Sequence, residues 1–313
     1  MIMKRHLVFN FNKRFVLSLL TLLLIGGGNL FAQNEEANQE KDKRPVKNTF
    51  ESIWLIDNQT VMIPIKGTFE FDIQHRFGLV GKNEEAGKSN AYDDFYGFFA
   101  PSNMRLGFNY VPVERLQLGF GITKERLTWD FNVKYALLQQ GRSGGSPVSV
   151  TYLGNMAVDT REKAYFLESS DRFSYFHQLM VARKITKSLS FQVSANLSHR
   201  NFPEFYVNKE QGITSRMDND HISMSILGRY KITDALGFII NYDQPLSSHA
   251  VEEVEPEPNL SFGIEMTSSA HAFQIFAGNY QSIIPQLNNT KNKNKMGDGE
   301  FAIGFNITRL FNW

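Results

Sequence analysis

Bulky apolar residues alternate with small or polar residues along most of the chain, most clearly in its last stretch, residues 301–313. Successive side chains of an extended strand point to opposite faces. One face of this stretch would be apolar and the other small or polar: Phe301, Ile303, Phe305, Ile307, Phe311 and Trp313 against Ala302, Gly304, Asn306 and Thr308. This pattern is typical of a transmembrane β-barrel strand, which has lipid on one side and a wet lumen on the other.

The same two-residue period recurs from Lys66 onward and predicts an all-β fold. We expect residues 66–313 to form a 12-stranded antiparallel transmembrane up-and-down β-barrel. Its even strand number puts both termini in the periplasm. His177 interrupts the sixth predicted strand, which is the least regular. The predicted strands carry their apolar residues within 69–77, 104–110, 116–122, 127–135, 148–158, 173–181, 189–197, 222–230, 236–242, 260–266, 273–277 and 301–313.

The connections between the predicted strands alternate in length. They are short after strands two, four, six, eight and ten, and long after strands one, five, seven, nine and eleven. The connection after strand three is a short turn where a long loop would be due. Barrels of the outer membrane combine short periplasmic turns with long extracellular loops. The length pattern therefore predicts which end of the barrel faces outward.

A soluble β-sandwich or a secreted barrel would also show alternation, but its second face would be rich in Lys and Glu because it meets water. Here the second face is dominated by Gly, Ser, Thr and Asn. Aromatic residues also collect at the strand ends, as in the girdles of membrane barrels. These features predict a bacterial outer-membrane location with lipid as the surrounding partner. The predicted outer girdle is Phe77, Trp129, Tyr175 and Tyr242, and the inner one is Tyr110, Tyr135, Tyr230, Phe311 and Trp313.

The chain before the barrel divides into two parts. Residues 1–32 combine basic residues, an apolar run at 15–25 and a small residue at Ala32, which predicts a secretory signal peptide. The apolar run is shorter than the ~20 residues that a membrane-spanning helix needs. Residues 33–65 are expected to be a flexible periplasmic N-terminal segment. Within it, the apolar stretch 49–65 could pack on the periplasmic mouth or enter the lumen.

Several stretches resemble an uncharacterised β-barrel family, a domain of unknown function found in outer membranes of Bacteroidota. The stretches are NQTVMIPIKGTFEFDIQHRFG, FYGFFAPSNMRLGFNYV, PVSVTYLGNMAVDT, SFGIEMTSSAHAFQIFAGNYQ and the closing GFNITRLFNW. The resemblance spans most of the chain from Thr49 to Trp313. It implies a barrel in a Gram-negative outer membrane, and it carries no catalytic residue over to this sequence.

Charged residues in the inward phase are nearly balanced: Glu70, Asp72, Asp130, Asp243 and Glu265 against Arg76, Arg105, Lys134, Lys184, Arg229 and Lys231. A charge-selective pore usually has a one-sided ring of charge. Balance favours an internal lattice of ion pairs, because a buried ion is stable only when it is matched. A polar permeation path is the alternative, since twelve strands enclose more space than a filled eight-stranded barrel.

Histidines provide weak alternatives. His199 and His221 end neighbouring predicted strands, near Asp218 and Asp220, and are weak candidates for a metal or acid-base site at the rim. A lipid-face hydrolase would need a nucleophilic Ser beside His177. No predicted strand carries an outward Ser at its middle.

Composition excludes further classes. The chain has no cysteine, and its Lys plus Arg (33) nearly equals its Asp plus Glu (32), so neither a disulfide framework nor a nucleic-acid partner is supported. No P-loop, dinucleotide fingerprint or HExxH motif is present. We expect no enzyme activity and no cofactor. The leading hypothesis is a barrel that passes or binds small solutes. The alternative is a structural or surface-docking barrel that acts through its long loops. We also expect the C-terminal strand to engage the barrel-assembly machinery.

Overall fold

The computed structural model describes residues 42–83, 88–89, 91–203, 205–208, 212–249 and 254–312. The predicted signal peptide, the first residues of the predicted N-terminal segment and Trp313 lie outside the described residues.

Twelve long strands form the wall of a closed barrel. Their alternating sequences let each strand present an apolar face outward and a polar face inward. In chain order the wall strands are β3 (Phe69–Arg76), β6 (Asn103–Val113), β7 (Leu116–Thr123), β8 (Thr128–Leu138), β9 (Ser149–Asp159), β10 (Phe173–Lys184), β11 (Leu189–Arg200), β14 (Asp220–Lys231), β15 (Leu236–Pro245), β16 (Asn259–Thr267), β17 (His271–Gly278) and β18 (Ala302–Phe311).

Every wall strand pairs antiparallel with the next one, and β18 pairs with β3 to close the cylinder. At this seam Ile307 lies opposite Ile73, and Phe305 lies opposite His75. The predicted 12-stranded antiparallel barrel is therefore confirmed. Each predicted strand corresponds to one wall strand, including the irregular sixth, which is β10.

The two ends of the barrel differ. We call the end that carries residues 42–48, residues 62–68 and the end of β18 the turn end, and the opposite one the loop end. The connections at the loop end contain short additional elements: β4 (Lys82–Asn83) with β5 (Lys88–Ser89), β12 (Phe205–Asn208) with β13 (Ile213–Arg216), and helix α1 (Pro285–Lys291). Short 3-10 turns occur at Glu125–Leu127, Lys163–Tyr165, Ser169–Arg172 and Met296–Asp298.

Burial along the wall is the reverse of that in a soluble sheet. In β8 the polar residues Thr128, Asp130 and Asn132 are buried, while Trp129 and Phe131 are exposed. The bulky apolar face thus forms an outer belt, and the polar face lines the interior. This arrangement excludes the soluble sandwich, because water would meet the apolar face.

The interior contains a segment that contributes no strand to the wall. Residues 49–61, which we call the lumen hairpin, form a tight pair of strands, β1 (Trp54–Leu55) and β2 (Asn58–Gln59), inside the barrel. All of these residues except Glu51 are buried. Of the two alternatives for the stretch 49–65, residues 49–61 follow the second, because the hairpin lies in the lumen, whereas Ile65 is exposed. The prediction of a flexible segment up to residue 65 is wrong for residues 49–61, since they pack against the wall.

Candidate functional site

The candidate functional site is the lumen and the hairpin that fills it. Apolar side chains of the hairpin pack on a patch of inward-facing apolar residues of the wall. Leu55 and Ile56 are fully buried in this cluster. Burying one such side chain contributes about 1.5–3 kcal/mol. The cluster comprises Phe50, Leu55, Ile56 and Val61 of the hairpin, with Leu153, Phe176, Met180, Ala182, Leu227, Ile239 and Phe276 of the wall.

Two glutamine side chains of the wall form hydrogen bonds with the hairpin backbone, at positions where a neighbouring strand would bond it in a sheet. Gln274 Nε2 donates to the Trp54 carbonyl oxygen at 2.8 Å, and Gln274 Oε1 accepts from the Ile56 N–H at 2.9 Å. Gln192 bonds the backbone of the second hairpin strand in the same pattern. It donates to the Gln59 carbonyl oxygen at 2.9 Å and accepts from the Val61 N–H at 2.9 Å. Each amide side chain satisfies one donor and one acceptor of the hairpin backbone, which would otherwise be buried without partners.

The turn of the hairpin adopts a conformation that is unusual for its sequence. Ile56 has a φ of 61°, in the left-handed region that a β-branched residue rarely occupies. The wall holds this residue from both sides, because Asn306 Nδ2 donates to its carbonyl oxygen while Gln274 accepts from its N–H. Such strain costs on the order of 1–3 kcal/mol and persists only where the surroundings enforce it.

The tip of the hairpin is held by groups from the loop end. The Asp57 carboxylate accepts hydrogen bonds from the Tyr280 hydroxyl, from Asn288 Nδ2 of α1 and, at 3.1 Å, from Asn241 Nδ2. The neighbouring Asn58 Nδ2 donates to Asp243 Oδ1 at 2.8 Å. Helix α1 therefore covers the hairpin tip, and both elements together fill the lumen.

The predicted lumen charges form small local sets. Arg105 contacts Asp72 at 3.0 Å and Asp130 at 2.9 Å, and all three side chains are at most 2% exposed. An added Cβ at Gly121 would lie 2.2 Å from an Arg105 nitrogen, so the glycine leaves the space that this set occupies. Arg229 pairs with Glu265 in a second buried set.

Most of the remaining predicted charges have polar or aromatic partners or lie at the turn end. The exception is Lys134, whose buried Nζ has no hydrogen-bond partner among the described residues. Arg76 donates to Asn306 Oδ1 at 3.0 Å and covers the Phe276 ring. Glu70 and Lys134 are buried, as is Asp243, which binds Asn58. Lys184 and Lys231 are only partly buried. Lys184 Nζ donates to backbone oxygens of residues 47 and 48, and Lys231 pairs with Asp234 in a turn.

Two cavities flank the hairpin. One, of about 390 Å³, lies at the loop end and is lined by residues that include Asn103, Glu125, Tyr280, Asn288 and Lys291. The other, of about 280 Å³, lies at the turn end and is lined by residues that include Ser52, Ile53, Thr68, Glu70 and Thr308. Tyr280 and Asn288 also hold the hairpin tip, so the first cavity adjoins it directly.

The histidine candidates do not come together. His199 lies opposite Asp220 in the wall register, one position before His221, so the two imidazoles point to opposite faces. His199 Nδ1 lies 2.8 Å from an Asp220 carboxylate oxygen. His221 is buried, and its Nδ1 lies 3.0 Å from His249 Nε2. Within the described residues no group of three His, Cys, Asp or Glu could hold a metal ion.

His177 lies on the outer face, where its Nδ1 is 2.7 Å from the Tyr152 hydroxyl. The described residues of the predicted girdles are exposed or partly exposed. Four of them are partly exposed: Phe77 and Phe311 at the ends of the seam strands, and Tyr175 and Tyr242. The other four are more exposed: Trp129, Tyr110, Tyr135 and Tyr230.

Sequence reasoning missed the residues that anchor the hairpin: Asp57, Asn58, Gln178, Gln192, Asn241, Gln274, Tyr280, Asn288 and Asn306. The sequence of the wall strands does contain a signal that an apolar element occupies the lumen. Phe176 and Met180 of β10, Leu227 of β14 and Ile239 of β15 are apolar residues in the inward phase, which a wet lumen does not favour.

We predict that removing either bracketing glutamine loosens the hairpin. Gln192→Ala leaves the Gln59 carbonyl and the Val61 N–H buried without these partners, a cost of about 1–3 kcal/mol per group. Amide hydrogen exchange over residues 49–61, followed by mass spectrometry, should accelerate.

The matched control for this prediction is Gln117→Ala. Gln117 is a buried lumen glutamine that donates to Asn109 Oδ1 and makes no hydrogen bond to the described hairpin residues 49–61. Equal exchange rates over residues 49–61 in the two variants would contradict the bracketing role of Gln192.

A family model for membrane-bound barrels matches nearly all of the described chain. The family model described as "Membrane bound beta barrel domain (DUF5777)" matches residues 50–311. Among solved structures, a NanC porin is 10% identical over 76% of this chain and 98% of its own, with a TM-score of 0.47. An outer membrane channel from Pseudomonas putida F1 is 13% identical over 80% of this chain and 97% of its own, with a TM-score of 0.45. A search of curated proteins found no match.

Location follows from the family and the wall. No helix among the described residues has the length and apolar character needed to cross a bilayer. The closed, even-stranded wall with its outward apolar belt is the architecture of bacterial outer-membrane proteins, so the protein resides in that membrane. The match covers the lumen hairpin from Phe50 as well as all twelve wall strands, and the chain belongs to the family of the membrane bound beta barrel domain DUF5777.

Proposed function

We propose that the protein is an outer-membrane channel for small solutes and that the lumen hairpin holds it closed in this structure. One observation carries the proposal. The element that fills the lumen pairs only with itself, whereas every wall strand pairs with two other wall strands. The hairpin can therefore leave without breaking a backbone hydrogen bond of the wall.

The inner face of the wall supports a path for polar solutes. Inward positions carry small hydroxyl and amide side chains, for example Ser194, Asn196, Ser223 and Ser225 on β11 and β14. Charge on the same face is arranged in local sets of mixed sign rather than in a ring of one sign. A path of this kind favours small polar solutes over strongly charged ones.

The hairpin has the properties of a gate with two arrangements. Its strained turn at Ile56 favours a different conformation once the wall no longer enforces this one. Its tip binds Tyr280 and Asn288, which line the cavity at the loop end. A change at that cavity would therefore reach the hairpin directly through Asp57.

The second candidate is a structural or surface-docking barrel, and the filled lumen favours it. Apolar contacts of the hairpin with the wall are extensive, and α1 closes the loop end over it. In that case the hairpin would brace the cylinder permanently, and the loops would carry the function.

Deleting residues 49–62 distinguishes the two candidates. For a channel, the shortened protein in a planar lipid bilayer should give steady single-channel currents, while the full chain stays closed or opens rarely. Heat-dependent migration in detergent gels would verify that the barrel is folded. A folded deletion variant without current above background would reject the channel and leave the docking barrel.

A further inference from the structure

An exposed aromatic cluster projects from the loop end, between β3 and β6. We call residues 91–100 the aromatic loop. Among its aromatic residues, Tyr92 is 85% exposed, Phe99 75% and Phe95 63%, and Tyr96 and Phe98 are also exposed. Contiguous apolar surface of this kind on a folded protein usually marks a contact with another apolar phase.

Ring contacts connect the aromatic loop to the outer belt of the barrel without a gap. Phe305 of β18 lies 6.1 Å from Phe77, measured between ring centroids, and Phe77 stacks on Phe98 at 4.9 Å. The series continues from Phe98 to Phe99 at 5.6 Å and from Phe99 to Phe95 at 6.2 Å. The loop is therefore a lateral continuation of the lipid-facing surface rather than a lid over the lumen.

The backbone fixes the aromatic loop against the wall. The Gly78 N–H donates to the Gly97 carbonyl oxygen at 2.8 Å, directly after Phe77. Gly97 has a φ of 82°, and a Cβ there would lie 2.0 Å from the Gly78 oxygen. Because only glycine permits this approach, the sequence holds the rings beside the belt at the level of the outer girdle.

We infer that the aromatic loop is a lipid anchor, inserted into the leaflet that surrounds the loop end. Each of the five exposed rings in this short loop would gain free energy on transfer from water into hydrocarbon, and partial insertion secures part of that gain. Tyr rings with one polar tip suit the boundary between headgroups and acyl chains. The exposed Asp93 carboxylate would remain on the water side. Lipid is the occupant because the ring series starts from residues that already face it.

The absence of cysteine permits a direct test. The variant Phe99→Cys, labelled at its single thiol with an environment-sensitive fluorophore, reports contact with lipid in vesicles of phosphatidylcholine. Some of this lipid carries a nitroxide near the top of the acyl chain. The matched control is Leu167→Cys, which is 85% exposed in a different loop at the same end. Ile275→Cys on the belt gives the value for full lipid contact.

Quenching by the nitroxide lipid should be several-fold stronger at position 99 than at position 167, and comparable with that at position 275. Equal, weak quenching at positions 99 and 167 would overturn the inference. The fluorescence at position 99 could instead depend on the amount of protein per vesicle and not on the nitroxide content. That result would assign the aromatic loop to contact with a second copy of the chain, and it would also overturn the inference. Phe99 is 75% exposed, so its substitution leaves the barrel folded, which migration in detergent gels verifies.

Discussion

Replacing Leu55 by aspartate should convert the closed barrel into a conducting one. Leu55 is fully buried in the apolar cluster between hairpin and wall, where an ionised carboxylate would have no partner. Burying such an ion costs several kcal/mol even after relaxation. Moving the hairpin into water avoids this cost, and the wall keeps all its strand pairs. Planar-bilayer recordings should show steady currents from this variant, whereas the unsubstituted chain should stay closed or open rarely.

Leu55→Met is the matched control, because it keeps the volume and apolar character of the side chain and costs less than about 1.5 kcal/mol. This variant should remain closed. Two outcomes would contradict the expectation for Leu55→Asp. One is a folded barrel without current, and the other is loss of the folded barrel, which would make the hairpin an integral part of the wall's stability.

Removing Arg105 should be among the most destabilising single substitutions in this chain. Arg105→Met leaves the buried carboxylates of Asp72 and Asp130 facing each other without a cation. Breaking a buried ion set by removing one member costs roughly 3–5 kcal/mol. Urea unfolding in lipid vesicles, followed by intrinsic fluorescence, should show a large shift of the midpoint to lower urea concentration.

Two further variants define the origin of this loss. Lys187→Met removes an exposed cation in a turn and should change the free energy of unfolding by less than about 1 kcal/mol. Arg105→Met combined with Asp72→Asn and Asp130→Asn removes all three charges and should recover most of the stability. If the triple variant were no more stable than Arg105→Met, unpaired charge would not be the cause.

The wall could be predicted from sequence because its signal is local. Alternation in β8 or β11 depends only on which face of each strand meets lipid, and that requirement acts on every second residue. Even β10 follows the rule, because His177 satisfies a ring nitrogen by bonding Tyr152 on the same outer face. Inward charges were predicted for the same reason, since their phase follows from the period.

The lumen hairpin could be recognised as apolar but not assigned a place. Its partners Gln192 and Gln274 lie far along the chain. Nothing in the sequence near Ile56 indicates that these two side chains bracket the hairpin. Charge pairing was beyond reach for a similar reason. Arg105 meets Asp72 and Asp130 because of the strand register and the room left by Gly121, and neither is visible in the alternation.

The seam between β18 and β3 has a consequence for biogenesis. β3 follows the lumen hairpin after only a few residues, and its seam partner is the last strand of the chain. Contacts between residues so distant in sequence form late, because closing the long intervening loop lowers the conformational entropy of the chain before the contact is gained. While the seam is open, the hairpin can settle among the inward side chains from the side. After closure it could enter only through the mouth at the turn end. The order of these two events decides whether a newly inserted barrel is sealed from the start or leaks until its interior is filled.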